Sequence, residues 1–198
     1  MPELPEIETV KLGLEKTVLG SVIISTKIYR RDLRFPIEEK FEKLIMNKRV
    51  LAVGRRSKYI LLFLTNNMTL ILHLGMSGKI NVSIKNESDY QEKKHDHIIM
   101  TFDNRFILIY NDPRRFGFVE VIEGDYNNYL RFKHIGIEPL SKKFDGKYLC
   151  NKIKKSSRTL KNILMDQKMV AGLGNIYVSE ALWDSQINPT RVGENMSL

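Results

Sequence analysis

Cysteine is almost absent: Cys150 is the only one in 198 residues. One thiol closes no intrachain disulfide and cannot furnish a multi-cysteine metal site, so both are excluded within this chain and Cys150 reads as an ordinary, partly buried thiol. Long apolar runs are missing too. No stretch approaches the roughly 18–20 residues that cross a bilayer, and residues 1–20 lack the basic-then-apolar order of a signal peptide. Both gaps point to a cytosolic protein. Acid is the scarcer charge, with 23 Asp and Glu against 32 Lys and Arg and a net charge of +9. That balance favours a polyanionic partner, and nucleic acid ahead of an anionic membrane surface. There is no internal repeat and no low-complexity tract.

What is present is enough apolar material, 42% of the residues, to bury a core in one large or two small domains. Ile7, Val10, Leu14 and Val18 recur at three- and four-residue steps from Pro5 to Leu19, and Gly20 follows as a stop, which predicts an amphipathic helix. A second short helix fits IEEKFEKLIM, residues 37–46. The middle changes character: VLAVGRR, KYILLFL, TLILHLG, KINVSI, HIIMTF, RFILIY and FGFVEVIE are short, rich in β-branched and aromatic residues, and separated by turns such as TNN, GMSG and FDN. A β-sandwich or barrel over residues 20–125 is expected. NESDYQEKKHDH reads as a polar loop. Past residue 130 the strand pattern fades into helical segments, YLCNKIKKSSRTLKNILMDQ and NIYVSEALWDSQ, around the turn KMVAGLG. The expected boundary lies near EPLSKKFDG, giving domains 1–138 and 139–198.

Five stretches carry chemistry. Removal of Met1 ahead of the small Pro2 leaves a secondary amine whose reference pKa, about 7.7–8.0, makes it far more nucleophilic at neutral pH than a lysine at about 10.4. Glu3 beside it, and Glu6 one turn on, are placed to move protons. The same PELPE run also serves as a plain helix start. In NDPRRFGF, residues 111–118, Arg114, Arg115 and Phe116 follow an Asp-Pro turn, where arginines neutralise phosphates and an aromatic wedge enters a base stack; the alternative is a solvated turn with Phe116 in the core. Met76, between Gly75 and Gly78, is either a core plug, the reading burial favours, or an exposed wedge. Lys58 either snorkels at a strand mouth or grips a phosphate. In MVAGLGNIYVSEALW, Gly172 and Gly174 allow close backbone approach, and Asn175 is read as the N-cap of a helix that aims amides at an anion.

Together PELPEIETV, GRRSKYILL, ILHLGMSG, KHDH, DPRRFG and LMDQKMVAGLGNIYVSEALW resemble the bacterial formamidopyrimidine-DNA glycosylases, over Pro2 to about Arg191. Relatives that attack oxidised pyrimidines tend to begin PEGPE, so Leu4 favours the purine branch. The resemblance implies an α+β protein: an N-terminal helix and two-sheet β-sandwich followed by a helix-two-turn-helix domain. It implies double-stranded DNA with oxidised bases or abasic sites as partner, bound by a monomer in the bacterial cytosol or nucleoid. It assigns Pro2 as Schiff-base nucleophile, Glu3 as acid/base and Lys58 as a catalytic helper. Met76, Arg114 and Phe116 would fill the space left by the flipped nucleotide. His95, Arg115 and Asn175 would hold the backbone, with Lys161 a further DNA-binding candidate and Ser156 standing where some relatives use a lysine.

Full-length members carry one structural zinc in a C-terminal four-cysteine finger. This sequence runs out at GENMSL without such cysteines, so the expectation is a chain cut before the finger, with no cofactor or metal of its own and weakened damage recognition. A catalytically inactive fragment that binds damaged DNA, or an oxidised-pyrimidine relative, stays open as an alternative. A generic RNA-binding protein accounts for the charge and leaves the motif set unexplained.

Overall fold

Helix α1 (Leu4–Val18) opens the chain in the computed structural model, which describes residues 2–84, 90–154 and 156–195. Its buried side chains Leu4, Ile7, Leu14 and Val18 share one face, as the spacing predicts. Glu6 accepts a hydrogen bond from the Glu3 backbone N–H at 2.9 Å, closing a capping box over the first turn. Leu19 is extended and Gly20 adopts φ +79, so the helix stops where the glycine permits the reversal.

Among the described residues of 1–129, eight strands follow. They are β1 (Ile23–Ile28), β2 (Val50–Arg56), β3 (Tyr59–Leu64), β4 (Met68–His73), β5 (Lys79–Ile84), β6 (Asp96–Phe102), β7 (Phe106–Asn111) and β8 (Phe118–Glu123), with helix α2 (Phe41–Ile45) between β1 and β2. All pairings are antiparallel and form two four-stranded sheets, β1-β6-β7-β5 and β2-β3-β4-β8. Of the two architectures left open, the sandwich is therefore the one adopted. Ile23, Met100 and Leu108 from one sheet meet Leu62, Leu70 and Leu72 from the other, and α1 and α2 add Ile7, Leu14, Phe41 and Ile45. Each fully buried Leu or Ile contributes about 1.5–3 kcal/mol, so this layer dominates the stability of the unit.

Several expectations are corrected. The helix over 37–46 shrinks to α2, because the Ile37 N–H bonds the Arg31 carbonyl at 2.9 Å and holds the segment ahead of it as a loop. Strand β1 carries no clear strand signal in its sequence, since IISTKI mixes polar and apolar residues without clean alternation. Of the expected polar loop NESDYQEKKHDH, residues 86–89 lie outside the described residues, while Asp96 and His97 are buried in β6.

The chain divides into units at Tyr129/Leu130, ahead of the expected 138/139 boundary. Residues between these points pair within the second unit: Gly136 N–H bonds Gln167 O at 2.7 Å, and Ala171 N–H bonds Ile137 O at 2.8 Å. That unit holds α3 (Gly146–Ile153), capped by Asp145, α4 (Leu160–Met165), capped by Thr159, and α5 (Asn175–Asp184). Ile153, Leu160, Ile163, Val178 and Leu182 form its core. Cys150 is half-buried in α3.

Candidate active site and nucleic-acid interface

Pro2 is half-buried immediately before α1, and Glu3 is 1% exposed. Lys58 does not enter a strand. It occupies the two-residue turn between β2 and β3, beside Ser57 at φ +54, and is buried. Removal from water lowers the Lys58 ammonium pKa below its ordinary value, while the carboxylates of Glu3 and then Glu6 raise it. Residues far apart in sequence thus share one electrostatic neighbourhood. Arg55 fastens it: Nε donates to Glu8 Oε2 at 2.7 Å and Nη1 to the Ser57 carbonyl at 2.8 Å, tying α1 to the turn that carries Lys58.

A second constellation is built by two loops, 74–78 between β4 and β5 and 112–117 between β7 and β8. Asp112 is fully buried and joins them. Its Oδ1 accepts from Ser77 Oγ at 2.5 Å and its Oδ2 from the Gly117 N–H at 2.8 Å, while Ser77 Oγ accepts from the Arg114 N–H at 3.1 Å. The Asp112 carbonyl lies 2.8 Å from His97 Nε2, which faces an acceptor and so carries the proton. Gly75 adopts φ +58, and a Cβ there would stand 2.4 Å from Gly117 N and from the Phe116 carbonyl carbon. The loops therefore touch through backbone.

This packing pushes Met76 and Phe116 outward, 45% and 43% exposed. Neither is a core plug, contrary to the reading burial favoured for Met76. The Arg114 guanidinium lies 4.6 Å from the centre of the Phe116 ring. Both face a concavity of ≈ 690 Å³ lined also by Asp32, Arg34, Met76 and Arg115. Arg115, at φ +57, pairs with Asp32, as does Arg30 at 2.9 Å. His95 is half-buried, and its carbonyl accepts the Asp112 N–H at 3.1 Å, which puts it at the end of β6 beside the same loop.

In the second unit Gly174, not Asn175, is the N-cap of α5; Asn175 is the first helical residue and is exposed. The extended backbone before the helix falls on the glycine, whose φ and ψ are −138 and −160. Gln167 braces the turn, accepting from the Gly172 N–H at 2.8 Å and donating to the Leu173 carbonyl at 2.6 Å. Gly172 itself is at φ +82. Lys161 and Ser156 are half-buried, on α4 and just before it.

Two family descriptions match in the order of these units: the Formamidopyrimidine-DNA glycosylase N-terminal domain over residues 1–119 and the Formamidopyrimidine-DNA glycosylase H2TH domain over residues 135–198. The chain belongs to the formamidopyrimidine-DNA glycosylase family. The formamidopyrimidine-DNA glycosylase of Bartonella tribocorum is 45% identical over 202 residues, covering 96% of this chain and 69% of that protein. The Rickettsia bellii glycosylase is 39% identical and covers 100% of this chain and 71% of its own length. Among solved structures, Lactococcus lactis Fpg in complex with DNA containing an abasic site superposes with a TM-score of 0.90 at 37% identity, covering 98% of this chain and 71% of that one. MutM bound to DNA containing carbocyclic 8-oxo-G gives 0.90 at 38% identity, covering 99% and 73%.

A four-cysteine zinc site is what the resemblance implies for full-length members. With one cysteine in the sequence, and no grouping of three or more His, Cys, Asp or Glu among the described residues, this chain does not fit a four-cysteine zinc site. Sequence reasoning missed Asp112, Asp32 and the Glu8–Arg55 tie. Asp112 stood in view inside NDPRRFGF as a turn former; nothing local in the sequence reveals that its carboxylate is the joint between two loops.

Proposed function

We propose that this chain is a DNA repair glycosylase with abasic-site lyase activity that removes oxidised purines, 8-oxoguanine and formamidopyrimidines, from duplex DNA. The observation that carries the reading is that buried Lys58 lies in the field of buried Glu3 and of Glu6, with Glu3 next in sequence to Pro2. Once Met1 is removed, the Pro2 nitrogen attacks C1′ of the extruded nucleotide, the C1′–N bond breaks, and the base leaves with a proton delivered by Glu3. The Pro2 nitrogen sheds its own proton, Glu3 relays a proton to O4′ as the C1′–O4′ bond breaks and the sugar ring opens, and the C1′=N iminium so formed acidifies the C2′ hydrogen. Loss of that proton expels the 3′ phosphate, and a second elimination expels the 5′ phosphate, leaving a gap.

Lys58 holds a phosphate beside the reacting sugar; burial strengthens this contact by excluding competing water. Met76, Arg114 and Phe116 occupy the vacated stack, offsetting the few kcal/mol that extrusion costs. His95, Arg115, Asn175 and Lys161 grip the backbone. The protein acts as a monomer in the bacterial cytosol; no helix of the described residues is long and apolar enough to cross a membrane.

Borohydride reduction in the presence of an abasic-site duplex tests the reading. Wild-type chain with Met1 removed is expected to form a covalent adduct at Pro2, located by mass spectrometry of the N-terminal peptide. Pro2→Gly is expected to cut trapping by at least tenfold while DNA affinity stays within twofold, about 0.4 kcal/mol. No adduct at Pro2 in the wild type would sink the enzymatic reading.

A further inference from the structure

The loop that follows β1 contributes Asp32 and Arg34 to the concavity of Met76, Arg114 and Phe116, and neither residue has a part in the reading above. The arginines around this concavity differ in one respect. Asp32 pairs with Arg30 and with Arg115, and its carboxyl is held well below the usual carboxylate range, chiefly by the hydrogen bond from Arg30. Arg34 and Arg114 have no carboxylate partner among the described residues. Arg34 is exposed, and its guanidinium lies over the Phe35 ring at 5.6 Å.

Arg34 is nevertheless held in place. Its backbone N–H bonds the Gly117 carbonyl at 3.1 Å, one residue past the Phe116 wedge. Phe35 packs edge-on against Phe118 at 5.1 Å, and Phe118 stacks on His73 at 5.0 Å. The position is therefore fixed by β4 and β8 through an aromatic stack, while the guanidinium's donors face solvent. A planar, permanently charged fork supported this way matches a phosphate.

We infer that Arg34 is a DNA-backbone ligand: its guanidinium takes a phosphate at the rim of the space that Met76, Arg114 and Phe116 fill, and so links wedge insertion to backbone grip. The inference rests on the proposed function, because the phosphate it binds flanks an extruded nucleotide. Asp32 completes the arrangement by engaging Arg30 and Arg115, which leaves Arg34 and Arg114 as the cations ready at first encounter.

The test is fluorescence anisotropy of the full chain on a duplex bearing a tetrahydrofuran abasic analogue and on the intact duplex, across a salt series. Arg34→Gln is expected to weaken binding to the abasic-analogue duplex about tenfold and to reduce the slope of log K against log salt by about 0.9. Arg34→Lys is expected to keep the slope. Lys16→Gln, an exposed charge in the last turn of α1, is the control for general electrostatics. Methylphosphonates placed one at a time in the duplex give a second measure: at one position neutralisation should weaken the wild type and leave Arg34→Gln unchanged.

An Arg34→Gln effect equal to that of Lys16→Gln, or methylphosphonate losses that are additive with Arg34→Gln at every position, overturns the inference. Trapping at Pro2 separates this outcome from failure of the broader reading. Wild type that traps normally while Arg34→Gln behaves as the control leaves the glycosylase standing and removes Arg34 alone.

Discussion

Lys58 is held between opposing forces, and its titration reports on both. Burial disfavours the ammonium and sets its pKa below 10.5, while Glu3 and Glu6 favour it. A lysine whose folded pKa is depressed penalises folding while protonated, and that penalty fades as pH rises from the folded value through 10.5. Activity is expected to run the other way, because the proposed phosphate contact needs the charged form. The rate of abasic-site cleavage is therefore expected to fall on an alkaline limb below pH 10.5. Lys58→Met should abolish that limb and lower the plateau about ten- to a hundredfold, the worth of one charge-assisted hydrogen bond. An unchanged limb in the methionine variant would assign it to another group. Residue type and terminal position alone are enough to propose Pro2 and Glu3 as candidates. The burial of Glu3 and its nearness to Lys58 are not legible in the same way, because both depend on α1 packing against the β2–β3 hairpin.

At the scale of elements, the proposed wedge is a product of two loops that meet without side chains between them. Gly75 makes the meeting possible twice over, by its φ of +58 and by the missing Cβ that would stand 2.4 Å from Gly117 N. Gly75→Ala adds a clash against backbone, which cannot rotate away as a side chain could. The variant is expected to lose about 2–4 kcal/mol in urea unfolding and to bind intact and abasic-analogue duplexes more nearly alike. Preserved discrimination with lowered stability would show that Met76 and Phe116 act independently of the loop contact. Asp112 belongs to the same element-scale device, since its two carboxylate oxygens serve one loop each. The helix at residue 175 illustrates a smaller shift. Asn175 is a good capping residue by type, yet Gly174 takes the cap position, because the VAGLG turn is already held by Gln167 and the extended backbone falls one residue earlier.

For the whole molecule, charge decides the partner's class. A net charge of +9 and four cations proposed for the backbone, Lys58, Arg115, Lys161 and Arg34, put the slope of log K against log salt at about −3.6 or steeper. Anisotropy titrations between low and physiological salt check this, and a slope near zero would argue against DNA. Charge, the motif order and the α1 periodicity are properties of the chain taken locally: composition sums over residues, and a helix face or a turn is set by neighbours three or four positions apart. These the sequence determined by itself, along with the family and the two-unit plan. Tertiary structure alone decided that Met76 and Phe116 face outward, that Asp32 engages Arg115, that Arg34 stands beside Phe116, and that Asp112 joins two loops that each run from one sheet to the other. Each of these depends on which strands pair and in what register, and strand pairing is set by burial of a shared core rather than by any signal carried in the loops themselves.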